Sequence, residues 1–216
     1  MSALPPGELV RSRGGRYACT LGIDLAAGSQ ARFAWLLAAL LYGARIAESL
    51  ATRTWREFAA RGVLTPEAIV ATGWDGLVAI LDAGGYARYD YKTATKLLAV
   101  CETLLVDYGG SLDALHAAAA DPRDLEARLK ALAKGIGDVT VGIFLRELRG
   151  IWPKAEPPPS PLAVAAAVAL GYLRPGAPDP AATLRGAWAA DGQPPETFAE
   201  FESALVREGL RRRRRR

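Results

Sequence analysis

The sequence predicts an all-α protein, and three observations support this fold class. Every segment with a clear apolar period has the helical repeat of about 3.6 residues, and none alternates apolar and polar residues as a half-buried strand does. N-cap residues followed by proline mark helix starts, as in Thr65-Pro66 and Asp121-Pro122. The connections between the predicted helices are short, about two to six residues each.

The first predicted helices follow a basic segment. Arg11, Arg13 and Arg16 flank two glycines, which predicts a mobile basic arm or a short hairpin. Ser29 is predicted to cap a helix whose residues 33–42 are apolar on almost every side, so this helix must be buried. Four more helices are predicted from caps, glycine breaks and apolar period, over residues 44–60, 66–72, 74–81 and 90–108.

The second half of the chain continues in the same pattern. Ser111 is predicted to cap a short helix that contains the single histidine, His116. A proline-rich stretch over residues 153–161 marks a boundary or a crossing linker. The remaining predicted helices, which bring the total to about ten, span residues 122–133, 138–149, 161–173, 181–190 and 195–210.

Composition allows a sizeable core and restricts the meaning of the net charge. The chain has 216 residues, 50% of them hydrophobic, and a formal charge of +4. Residues 211–216 are all arginine, so the other 21 basic and 23 acidic residues leave the body at −2. This distribution of charge does not support a generally basic, DNA-coating protein. The arginine run itself predicts a solvated tail that contacts phosphates non-specifically.

Several classes of site are excluded by residue counts. One histidine and two cysteines cannot complete a structural zinc site or hold a four-cysteine iron–sulfur cluster, and no cofactor is predicted. No stretch reaches the roughly 18 to 20 apolar residues of a membrane span. The N-terminal residues lack the apolar core of a secretion signal, so we expect a cytoplasmic protein.

The most informative segment is a predicted helix, a four-residue hairpin over residues 134–137, and a second helix. Gly135 and Gly137 allow the chain to reverse tightly and allow a phosphate to approach the backbone. Unpaired N–H groups at the start of the second helix, together with the helix dipole, form an anion site. Ile136 is expected to point inward and fix the hairpin to the core, and Thr140 to cap the helix or contact phosphate.

This segment resembles the helix-hairpin-helix DNA-binding motif, whose pattern is Leu-Pro-Gly-Val/Ile-Gly-x-x-Thr-Ala. Lys134 stands where the family has proline and adds a positive charge that attracts phosphate. Asp138 acts against this attraction, because a carboxylate beside a phosphate is repulsive. The matching residues are Ala133-Lys134-Gly135-Ile136-Gly137-Asp138-Val139-Thr140-Val141.

Three further segments resemble one family in the right order. Residues 33–46 resemble the helix that opens the endonuclease III fold, and residues 81–97 resemble its Gly-x-Tyr-x-x-Lys-Ala-x-x-Leu segment. Tyr108-Gly-Gly-Ser-Leu is similar to the Tyr-Gly-Gly turn that precedes its hairpin. Over residues 32–172 the chain thus resembles the helix-hairpin-helix base-excision DNA glycosylase superfamily.

The resemblance implies a two-lobed, endonuclease III-like helical fold with DNA bound across the cleft. Residues 32–150 would form the domain that carries the hairpin. Residues 1–31 and 151–210 would pair as a second helical domain, followed by the basic tail at 211–216. The implied partner is double-stranded DNA, intact or damaged, bound by a monomer with no membrane contact.

The catalytic part of the family pattern is missing. Val139 occupies the position of the nucleophilic lysine of bifunctional members, and it cannot form a Schiff base. The family's aspartate falls near Ser160, in a segment without acidic residues. Three other carboxylates are candidates for an unconventional catalytic group: Glu156, Glu147 and Asp90.

Three functions follow from these motifs. The first is a DNA-binding protein linked to DNA repair, which grips the phosphate backbone independently of sequence. The second is a monofunctional DNA glycosylase that hydrolyses the N-glycosidic bond of a damaged base with one of those carboxylates. The third is a non-enzymatic interaction scaffold. The residues predicted to contact DNA are Lys134, Gly135, Ile136, Gly137 and Thr140, with additional contacts from Lys92, Lys96 and Arg45.

Overall fold

The computed structural model describes residues 4–214 and confirms the all-α class, because every regular element in this range is a helix. Two of these elements are 3-10 helices, Leu25–Ala27 and Pro195–Thr197. The α-helices are α1 (Pro6–Arg13), α2 (Tyr17–Thr20), α3 (Ser29–Tyr42), α4 (Glu48–Ala60), α5 (Pro66–Ala83), α6 (Asp90–Tyr108), α7 (Leu112–Ala118), α8 (Pro122–Ala131), α9 (Asp138–Glu147), α10 (Pro161–Leu170), α11 (Pro180–Ala190) and α12 (Phe198–Arg213).

The chain divides into two compact units. One unit is the continuous segment Ile23–Phe144, which contains α3 to α8 and most of α9. The other unit combines both ends of the chain, and its described residues are 4–22 and 145–214. The continuous unit begins nine residues and ends six residues before the 32–150 bounds predicted from the sequence.

Helix α3 is the centre of the continuous unit, as its apolar sequence predicts. Trp35 is fully buried, and its indole N–H donates to the Phe144 carbonyl at 3.1 Å. The Trp55 indole of α4 donates to the Ala34 carbonyl at 3.0 Å, and the Tyr86 hydroxyl donates to the Leu41 carbonyl at 3.2 Å. The polar groups of these three large buried side chains thus have hydrogen-bond partners, which removes the free-energy penalty of burying them unpaired.

Local capping signals are mostly confirmed. Thr65, Ser111 and Asp121 each accept a hydrogen bond from the backbone N–H three residues later. Ser29 was predicted to be a cap, but it is the first residue of α3 and Gly28 precedes the helix. The two helices predicted on either side of Gly73 form one element, α5, with a kink at that glycine.

Both basic ends of the chain are more ordered than the sequence predicts. The expected mobile arm is instead α1 and α2, and Arg13 pairs with Glu208 at 2.7 Å. The prediction of an unstructured, solvated tail is wrong for its first residues. Helix α12 extends to Arg213, and its last turn contains Arg211 and Arg212. Residues 215–216 of that tail lie outside the described residues.

Between residues 4 and 214, no helix has the length and apolar character needed to cross a membrane.

Candidate nucleic-acid interface

The hairpin joins α8 to α9 through residues 132–137. Helix α8 ends at Ala131, and α9 begins at Asp138. Gly135 has a φ of +90°, in the left-handed region that favours glycine, which explains why the turn needs this residue. Ile136 is buried, and its N–H donates to the Ala133 carbonyl at 3.3 Å. The buried Ile136 side chain therefore anchors the turn, while Gly135 and Gly137 on either side of it are exposed.

The space around Gly137 is open. A Cβ atom placed on this residue would meet no heavy atom within 4 Å. The Gly137 carbonyl accepts the N–H of Val141 at 3.1 Å, so the first turn of α9 starts here. The N–H groups of a first helical turn have no partner within the helix, and the helix dipole adds partial positive charge beside them. The empty space at the Cβ position of Gly137 leaves room for a phosphate oxygen beside these groups.

Lys96 of α6 lies against the hairpin. A Cβ atom on Gly135 would be 3.4 Å from the Lys96 Cε and 3.7 Å from its Nζ. Lys96 is half-buried, and this burial lowers its pKa. An approaching phosphate would favour the charged form of this ammonium. The fold thus adds a cation to the turn, 39 positions away from Gly135 in the sequence.

The charge of Asp138 is compensated within the hairpin. Its carboxylate pairs with the Lys130 ammonium of α8 at 2.5 Å, and this hydrogen bond lowers the pKa of Asp138. The repulsion of phosphate expected from Asp138 is therefore reduced. Lys130 was not among the predicted residues, although its position one helical turn before Lys134 was a usable signal.

Thr140 lies in a packing position. Its side chain is buried, and its hydroxyl fills the space where a Cβ on Gly43 would lie, at the end of α3. This burial favours a packing role for Thr140 between α9 and the end of α3, and its phosphate contact stays a prediction. Lys134 remains exposed on the turn itself.

The other predicted cations, Arg45 and Lys92, are exposed. Arg45 lies in the turn after α3, and Lys92 lies in the first turn of α6, one helical turn from Lys96. Val139, at the position of the family's nucleophilic lysine, is 67% exposed.

The three candidate catalytic carboxylates all have partners. Glu147, the last residue of α9, is fully buried and accepts the Ala18 N–H at 3.1 Å and the Ser203 hydroxyl at 2.7 Å. Glu156 pairs with Arg149 at 2.9 Å and also with Arg185. Asp90 accepts the N–H of Tyr91 at 2.7 Å. These contacts favour structural roles for the carboxylates.

Ser160, near the position where the family has an aspartate, is the N-cap of α10. Its hydroxyl accepts the Ala163 N–H at 3.2 Å. A serine at this position supplies a cap but no negative charge to stabilise a cationic sugar.

Comparison of the chain with protein-family models, with curated proteins and with solved structures gives no match.

Proposed function

We propose that this protein binds duplex DNA through its phosphate backbone, as a helix-hairpin-helix protein of the endonuclease III-like type. The observation that carries the proposal is the open turn at Gly135 and Gly137, with Lys96 and Lys134 beside it. We infer a monomer that acts on cytoplasmic DNA, in a process linked to DNA repair.

Backbone N–H groups and lysines are suited to phosphate and carry no information about bases. Hydrogen bonds to phosphate position a protein on the duplex, whereas sequence is distinguished at base edges in the grooves. The two exposed glycines remove the side chains that would keep a phosphate away from the start of α9. Binding is therefore expected to be independent of sequence and strongly dependent on salt.

The local charge of the hairpin also supports the proposal. Lys130 pairs with Asp138 at 2.5 Å and also lies 3.9 Å from Glu126, so it offsets part of the acidic charge there. Lys134 and Lys96 are further cations at the turn. A body that is slightly acidic as a whole can bind DNA when positive charge is concentrated at one surface. The three engaged carboxylates favour a binding protein over an active glycosylase.

The lysines give the first test. Lys96→Met and Lys134→Met are each expected to weaken binding to a short fluorescent duplex, measured by anisotropy over a series of salt concentrations. The slope of log K against log salt is negative, and loss of one phosphate contact makes it less steep by about 0.9. Each variant should show this change because each removes one cation at the turn.

Arg56→Met is the matched control, since Arg56 is an exposed cation of α4 and lies in the same unit. Its salt slope should stay that of the unchanged protein. Equal slopes for all four proteins would mean that the lysines at the turn do not contact phosphate.

A further inference from the structure

Three arginines from the two ends of the chain meet at one carboxylate. Glu208 of α12 accepts Arg13 Nε at 2.7 Å, Arg212 Nε at 2.6 Å, and Arg211 through two bonds of 2.8 and 2.7 Å. We call Arg13, Arg211, Arg212 and Glu208 the arginine cluster. It joins α1 to the last turn of α12 within one compact unit.

The carboxylate is inside the cluster and the guanidinium groups face outward. The Glu208 side chain is 1% exposed, whereas those of Arg13, Arg211 and Arg212 are 31%, 35% and 40% exposed. Hydrogen bonds from the arginines, that of Arg211 above all, lower the pKa of Glu208 to about 2. The carboxylate is thus ionised at neutral pH, and three cations against one anion leave the cluster with a net charge of +2.

The arginines retain donors for a ligand. Each guanidinium carries five N–H donors in a planar fork, and Glu208 uses at most two from each arginine. Because Glu208 already orders the side chains, binding of an anion would cost less conformational entropy than binding to free arginines. Exposed Arg213 and Arg214 follow directly on the chain and extend the positive charge.

From this geometry we propose that the arginine cluster is a second phosphate-binding site, which takes adjacent phosphate groups of a polyanion. The fork geometry of arginine matches phosphate oxygens in pairs. Both a nucleic-acid backbone and a free polyphosphate present such oxygens, and binding measurements with each ligand distinguish the two. In this account Glu208 is a positioning residue, because it acts through the three arginines.

Glu208→Gln distinguishes a positioning role of Glu208 from a purely electrostatic one, because the two roles predict opposite changes in the affinity for a polyanion. Loss of a negative charge alone would tighten binding to any polyanion. Loss of the organising carboxylate is expected to weaken binding about fivefold, because the arginines are no longer held together. Glu8→Gln is the matched control: Glu8 lies in the same unit, is exposed, and pairs with Arg11 at 3.7 Å. It should leave affinity unchanged or slightly higher.

The ligands are inorganic tripolyphosphate, measured by calorimetry, and a fluorescent duplex, measured by anisotropy, both at low salt with the full chain. We expect Arg211→Gln to weaken tripolyphosphate binding about tenfold, as for the loss of a charge-assisted hydrogen bond. Arg174→Gln removes an exposed arginine elsewhere in the same unit and should change affinity less than about twofold.

Circular dichroism shows which variants fold. If Glu208→Gln does not fold, Arg211→Gln alone tests whether the arginine cluster binds phosphate. If Arg211→Gln binds both the duplex and tripolyphosphate more weakly, the site is assigned to nucleic-acid backbone. If only its binding to tripolyphosphate is weaker, the site is assigned to free polyphosphate. Equal effects of Arg211→Gln and Arg174→Gln, or tighter binding by folded Glu208→Gln, would overturn the proposal. The tenfold effect of Arg211→Gln on tripolyphosphate binding should persist when Gly137→Glu is also present, so failure of this site and failure of the hairpin are distinguishable.

Discussion

Replacement of Gly137 by glutamate is expected to lower the affinity for duplex DNA by about 100-fold, because a carboxylate placed against a phosphate costs several kcal/mol. The variant should remain folded. Gly137 does not have the positive φ that disfavours other residues, and a Cβ atom there meets no heavy atom within 4 Å. Anisotropy of a fluorescent duplex measures the affinity, and thermal unfolding checks the fold.

Gly142→Glu is the matched control, because it introduces the same charge within α9, the helix that follows Gly137, again with no heavy atom within 4 Å of the new Cβ. It should reduce affinity only slightly. A similar loss in both variants would show that general charge, and not the turn, controls binding. Gly135 is a poorer probe, since its φ of +90° strains any other residue and Lys96 lies against it.

Arg149→Leu is expected to destabilise the protein by about 3 to 5 kcal/mol, the cost of leaving a buried charge without its partner. Arg149 is buried, and its Nε donates to Glu202 at 2.7 Å, a carboxylate that is 1% exposed. It also donates to Glu156 and to the Pro157 carbonyl. Urea unfolding measures the loss of stability.

The pH dependence of this loss follows from Glu202. Burial already raises the pKa of Glu202, and removal of Arg149 would raise it further. The linked penalty is absent at acid pH, where Glu202 is protonated in both folded proteins. It grows as the pH rises through the raised pKa of Glu202 in the unchanged protein, because the carboxyl then ionises beside Arg149 but not in the variant. The stability deficit of the variant should therefore shrink at acid pH.

Arg185→Leu serves as the control for Arg149→Leu. Arg185 also pairs with Glu156, but its side chain is 43% exposed, and exposed pairs contribute about 0 to 1 kcal/mol. Equal destabilisation by the two variants would contradict the importance assigned to the buried Arg149–Glu202 pair.

The helices were predictable because their signals are local. The caps at Thr65, Ser111 and Asp121 lie within three residues of the N–H groups that they accept. Helices α1 and α2 and the ordered end of α12 were missed because partners distant in the sequence stabilise them. Arg13 and Glu208, which pair at 2.7 Å, are 195 positions apart, and no periodicity relates them.

The candidate interface was predictable to the same extent. The glycines of the turn are a local pattern, and so is buried Ile136 between them. The approach of Lys96 to Gly135 depends on how α6 packs beside the hairpin, which the sequence does not specify. Burial of Thr140 against Gly43 likewise arises only from the contact of α9 with α3.

The hairpin is tested most directly by the backbone amide NMR spectrum of isotope-labelled protein during titration with a short duplex. If phosphate binds at the start of α9, the largest shift changes should fall on the amides of residues 135–139, with smaller changes along the rest of α9. The same titration should leave these amides unmoved in Gly137→Glu. Duplex binding with no change at residues 135–139, and with changes confined to the arginine cluster, would contradict the account.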